Sequence, residues 1–165
     1  MGKLPPAAKV YEAYSAIADK RVELHEQEAY VTSSDESKRY TVRFQDDVYS
    51  SNDNATIWQH YAGYPILAVL MLQKRLPVNE EILPAFKNVN WKALNTKYKN
   101  KYDLAIQEFY EQHPTLDPTL VEESVEECLK ACETLQIIIK GNRAKKSRKS
   151  GSLPIKVDGK VVLFA

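Results

Sequence analysis

The sequence predicts an α+β domain in which one helix precedes a small antiparallel β-meander and four helices follow it. Three observations carry that reading. Apolar and aromatic residues recur at a period of two between residues 21 and 44, and at spacings of three and four before and after. Polar clusters containing Gln, Asp and Ser separate the period-two runs. Helix-start signals, Asn79 and Asp117-Pro118 among them, punctuate the second half.

The first helix opens after Pro5-Pro6, with Val10, Tyr14 and Ile17 at helical spacing, and fades at Asp19-Lys20. In the meander, Val22 alternates with Leu24, Tyr30 with Thr32, and Tyr40, Val42 and Phe44 with one another. One face is then packed and the other solvated by Arg21, Glu23, Lys38, Arg39 and Arg43. Gln45-Asp46-Asp47 turns the chain into a short strand, Val48 to Ser50, and the polar loop SSNDNATIWQH spans residues 50–60. Pro65 starts an apolar helix reaching about Lys74, and Asn79 caps a helix over Glu80 to Lys87. Trp91, Leu94, Tyr98, Tyr102, Ile106 and Phe109 form one helical stripe ended by His113-Pro114. The last helix runs from Asp117-Pro118 to Lys140, with Leu120, Val125, Cys128, Leu129, Cys132, Leu135 and Ile139 inward and Gly141-Asn142 as its C-cap. These elements place one domain at residues 1–141. Residues 142–165 read as a basic linker followed by a hairpin signal at Asp158-Gly159.

Composition narrows the class. At 165 residues, 44% hydrophobic and 27% charged, the chain suits a single globular domain. Its net charge of +1 excludes a global electrostatic case for nucleic acid or membrane, so any such case is local. The two cysteines, Cys128 and Cys132, sit four apart on a helix, an awkward spacing for a disulfide, and free thiols suit a reducing cytoplasm. The longest apolar run, about Tyr61 to Leu72, is too short to span a bilayer and is interrupted by Gly63 and Pro65.

The order strand, Gln-Asp-Asp turn, strand, polar loop, apolar helix, with the cadence V-Y-S-x-x-D … Y-P-I-L-A-V-L, resembles the SWIM domain over residues 20–75. That family places Cys-x-Cys after the second strand and Cys-x-His at the mouth of the helix. The corresponding positions here are Ser51, Asp53, Gly63 and Pro65, which cannot build a tetrahedral zinc site. The resemblance therefore implies a binding module without metal or cofactor. A structural zinc contributes roughly 10–16 kcal/mol to folding in small domains, so something else must hold this loop. The expectation is an aromatic plug of Trp58, Tyr61 and Tyr64, with Asp53 and Asn54 satisfying loop amides. On that basis Trp58→Ala should cost about 3–5 kcal/mol.

Two functional readings follow. In the first, a non-catalytic interaction module binds a protein or nucleic acid through Arg143, Lys145, Lys146, Arg148 and Lys149. No aromatic residue interleaves that run, so any nucleic-acid binding should be weak and indifferent to sequence. The acidic run Glu122, Glu123, Glu126 and Glu127 is positioned to bind the same tail in cis. In the second reading, a small enzyme or ligand-binding protein uses the loop 52–64 as its pocket, with Asp53, Asn54, Trp58, His60 and Tyr61 as its candidates. None of the hydrolase, metalloprotease, P-loop or dinucleotide-binding fingerprints occurs in the chain.

Overall fold

A computed structural model describes residues 1–146 and, as backbone only, 163–164. Helix α1 (Ala7–Ala18) follows Pro5-Pro6, and Val10, Ala13, Tyr14 and Ile17 are buried along it, with Tyr11 and Ser15 buried as well. Strands β1 (Val22–Leu24), β2 (Glu28–Thr32), β3 (Arg39–Gln45) and β4 (Val48–Ser51) pair in sequence as an antiparallel meander. The β3–β4 turn is a two-residue hairpin in which Asp46 and Asp47 both take positive φ, 49° and 66°. Both central residues lie in the left-handed region, as a type I′ turn requires, and Asp tolerates that region better than most side chains.

Register fixes the faces. Ala29 lies opposite Leu24 and Val42, Val31 opposite Val22 and Tyr40, and Ser51 opposite Val42, so these residues share the inner face. The alternation in β2 is therefore in the opposite phase to the sequence reading. Ala29 and Val31 are the buried pair, and Tyr30 sits on the outer face beneath the Arg39 guanidinium, 4.2 Å from its ring centroid.

Helix α2 (Tyr64–Leu72) buries every residue from Pro65 to Met71, because it is apolar all round and lies between the sheet and α1. A 3-10 helix, Glu80–Phe86, follows with Pro84 inside it, and the Asn79 side chain accepts from the Glu81 N–H as its cap. The cap is as the sequence predicts; the helix is of the tighter kind.

The stripe from Trp91 to Phe109 is not one helix. It divides into α3 (Trp91–Lys97) and α4 (Tyr102–Gln112). Lys99 and Asn100 adopt left-handed φ values of 52° and 64°, and the Asn100 N–H closes back on the Asn95 carbonyl at 2.7 Å.

Helix α5 (Pro118–Thr134) is capped by Asp117, as expected, but it stops six residues before Lys140 and its inner face differs by about one position. Val121, Ser124, Val125, Cys128 and Cys132 are buried while Leu120 is exposed. Both cysteines are free thiols. The β-branched run Ile137-Ile138-Ile139 leaves the helix, and residues 138–141 form β5, which pairs in parallel with β4. A two-residue strand β6 (Leu163–Phe164) pairs with β1 at the far edge, giving the order β5-β4-β3-β2-β1-β6. The hairpin turn expected at Asp158-Gly159 lies outside the described residues. No described helix is long and apolar enough to cross a membrane.

Candidate functional site

The loop between β4 and α2 begins where the inner strand face runs out. Ser51, Asn52 and Asp53 are all buried. Asp53 accepts from the Ser51 hydroxyl at 2.5 Å, from the Thr56 N–H at 3.1 Å and from the Thr56 hydroxyl at 2.8 Å. The Thr56 hydroxyl in turn accepts from the Gly63 N–H at 3.0 Å. Gly63 must lack a side chain, since a Cβ there would come within 2.1 Å of the Asp53 carboxylate. Ser51, Asp53 and Gly63 are thus neighbours, and a hydrogen-bond network occupies the space between them. Pro65 lies in the first turn of α2. Among the described residues, no group of three or more His, Cys, Asp or Glu side chains is placed to hold a metal.

Residues 55–59 then make one π-helical turn, closed by His60 in the left-handed conformation at φ 62°. This turn corrects the aromatic plug. Trp58 is 72% exposed, and Tyr61 is half-buried beneath the Lys3 ammonium. Asp53 closes the loop in place of stacked rings, because its short carboxylate reaches the amide and hydroxyls directly. Asn54, expected to satisfy loop amides, accepts from Lys146 Nζ at 3.0 Å. His60 points outward and is exposed, so Asp53, His60 and Tyr61 do not converge on a common pocket.

What lies beside the turn is the segment after α5. Gly141 sits against Ile57, where an added Cβ would meet backbone and side chain at 3.2 Å. Asn142 donates from Nδ2 to the Thr41 carbonyl and the Ser50 hydroxyl, and the Asn52 amide donates to the Ala144 carbonyl at 2.8 Å. Residues 138–146 carry Lys140, Arg143, Lys145 and Lys146 and no acid. On the other side of the turn Lys3 donates to the Gln59 carbonyl. The described part of the basic run is therefore docked on β3, β4 and the loop, and not on α5 as the cis-pairing expectation had it. The acids Glu122, Glu123, Glu126 and Glu127 are exposed, with Glu126 paired to Lys130. Arg148 and Lys149 lie outside the described residues.

A second region lies behind the loop. Asp53, Asn54 and Ala55 form one wall of a cleft of about 310 Å³ whose other walls come from α1, the β2–β3 turn, α3 and α4. Lys9 and Glu12 face each other there, Nζ to Oε2 2.9 Å, and Asn95 Nδ2 donates to Glu12 Oε1 at 3.1 Å. Burial opposes the charge on Lys9, yet the adjoining Glu12 carboxylate prevails and the ammonium's pKa stands above its ordinary value. Neither residue stands out in the sequence, because an i, i+3 pair of opposite charge is ordinary on an exposed helix face.

No curated protein and no solved structure matches the chain. The matching family model spans residues 2–138 and stops at the first residue of β5, leaving the basic segment outside it. By that match the chain belongs to the family described as Uncharacterised conserved protein UCP014422.

Proposed function

We propose that the protein is a non-catalytic interaction module and that its partner is single-stranded nucleic acid, held without preference for sequence. The observation that carries this reading is Trp58, 72% exposed on a turn flanked by Lys3 and by the basic segment 140–146. Single-strand binding needs a cationic track for the phosphates and an aromatic face on which a base can stack. The basic run lacks aromatics in sequence, and the fold supplies one from a distant part of the chain. Asp53, the one acid between residues 48 and 79, is buried with its oxygens engaged, so it opposes no phosphate. The SWIM resemblance of residues 20–75 fits the same role, as does a loop held by hydrogen bonds where that family uses metal.

Fluorescence tests it directly. Of the two tryptophans, Trp91 is buried, so quenching by an oligothymidylate reports on Trp58. Stacking contributes about 1–3 kcal/mol per base, so Trp58→Ala should weaken binding about five- to hundredfold. Its melting temperature should stay within about 2 °C, because an exposed side chain contributes little to the core. If four cations each meet one phosphate, log K should fall against log salt with a slope of about −3. Binding that is unchanged in Trp58→Ala, or insensitive to salt, would overturn the reading.

A further inference from the structure

Resting on the Trp58 reading, we propose that a single bound strand continues from that turn across the mouth of the cleft to the turn between α3 and α4, where Lys99, Lys101 and Tyr102 hold its far end. The two turns stand at one opening: Asn54 and Ala55, at the start of the π-helical turn, line the same cleft as Asn100 and Tyr102. The strand passes over that opening and needs nothing from the groups buried within it.

Charge is concentrated on the far side. Residues 82–107 hold five cations, Lys87, Lys92, Lys97, Lys99 and Lys101, against one acid, Asp103, in a chain whose net charge is only +1. Two of the five are already engaged, Lys92 with Asp35 and Lys97 with Glu108. Lys99 and Lys101 are exposed and have no ion-pair partner among the described residues. The phosphates of a strand supply the missing counter-charge.

The rings narrow the partner to nucleic acid. Residues 97–102 read Lys-Tyr-Lys-Asn-Lys-Tyr, the interleaving of cations and aromatics that the basic run 143–149 lacks. Tyr98 closes α3 and Tyr102 opens α4. The Tyr98 hydroxyl is committed to Glu108, so Tyr102 is the ring offered to a base. Lys9 stands 5.1 Å over the Tyr102 ring, and its charge also acts on Tyr61, which lies beneath Lys3 at 5.5 Å. Tyr61 thus links Trp58 to Tyr102, with free cations beyond each end, Lys145 on one side and Lys99 and Lys101 on the other. An acidic peptide would meet the lysines and leave the rings unused.

Trp58 fluorescence, titrated with oligothymidylates of about five and about twelve nucleotides in the full chain, tests the path. At low salt each phosphate contact is worth about tenfold, so the longer strand should bind the parent about a hundredfold tighter. In Lys99→Gln/Lys101→Gln that gain should shrink to about tenfold or less, the share due to the extra registers of a longer strand. Affinity for the shorter strand should stay unchanged. The salt slope for the longer strand should ease from about −4 to about −3. Tyr102→Leu should weaken the longer strand about fivefold or more and spare the shorter. Lys74→Gln/Lys130→Gln makes the same change of charge away from the cleft and should keep the whole gain. Quenching by both strands with an equal length gain in the parent and in Lys99→Gln/Lys101→Gln overturns the path and leaves the Trp58 reading standing. No quenching by either strand overturns that reading and the path with it. A loss of the gain in Lys74→Gln/Lys130→Gln as large as in Lys99→Gln/Lys101→Gln, or displacement of the longer strand by polyglutamate of equal charge at equal concentration, also overturns the path.

Discussion

Asp53 and Glu12 border the same cleft and are both buried, yet the fold satisfies them in different ways. Asp53 has its oxygens taken by the Ser51 hydroxyl, the Thr56 amide and the Thr56 hydroxyl, all within a few residues of it. Glu12 has one oxygen bonded to Asn95 on α3 and the other facing the Lys9 ammonium at 2.9 Å. Asp53 draws its partners from its own loop and so holds that loop closed, whereas Glu12 joins α1 to α3 across the cleft.

The largest break of that contrast is Asp53→Ala. It leaves the Thr56 amide and two hydroxyls without their charged acceptor, at a cost of about 3–5 kcal/mol. At roughly 2–4 °C per kcal/mol for a chain of this size, the melting temperature should fall by about 10 °C or more. Calorimetry on the two proteins reads this directly. A drop of only a degree or two would mean that the loop is held by something other than its hydrogen bonds.

Gly63→Ala attacks the same network from the opposite side and should cost less, about 1–3 kcal/mol, as overpacking usually does. The added Cβ would displace the Asp53 carboxylate it meets at 2.1 Å. The cause can be isolated by making the change in an Asp53→Ala background, where the obstructing carboxylate is gone. There the second substitution should be nearly neutral. A full penalty in both backgrounds would place the clash elsewhere.

The two acids also differ in how far the sequence foretells them. The setting of the loop was legible: the period-two runs end at β4 and the Gln-Asp-Asp turn is a hairpin. What holds the loop was not legible. A plug of Trp58, Tyr61 and Tyr64 follows from hydrophobicity alone, whereas the π-helical turn points Trp58 outward and gives the work to Asp53. Glu12 was invisible for a different reason. Helical spacing marks a face as polar but does not say whether solvent or another helix covers it. Here α3 and α4 do so, because Lys99 and Asn100 turn the chain left-handed and fold one stripe into two helices. β5 was lost to the same ambiguity: Ile137 to Ile139 continue the helical phase of α5, and only the free edge of β4 makes a strand the better use of them.

The smallest effect is expected from Tyr64→Phe, a change in the wall of the cleft that both acids border. The Tyr64 hydroxyl lines the cleft and has no hydrogen-bond partner among the described residues, so deleting it at neutral pH breaks nothing the fold relies on. Stability should change by less than about 0.5 kcal/mol. In alkali the two proteins should separate. Burial raises the folded-state pKa of Tyr64, so the stability linked to this group is complete below the unfolded phenol value of about 10 and is lost as pH rises toward the folded value. Above that point the unfolded chain releases the proton while the folded one retains it, and stability falls with a slope that phenylalanine cannot share. Denaturant titrations at neutral pH and at a pH above 10 should therefore show near-identical midpoints in the first and a relative gain for Tyr64→Phe in the second. A loss of more than about 1 kcal/mol at neutral pH would make the hydroxyl structural. Tyr64 would then belong with Asp53, as part of the machinery that closes the loop.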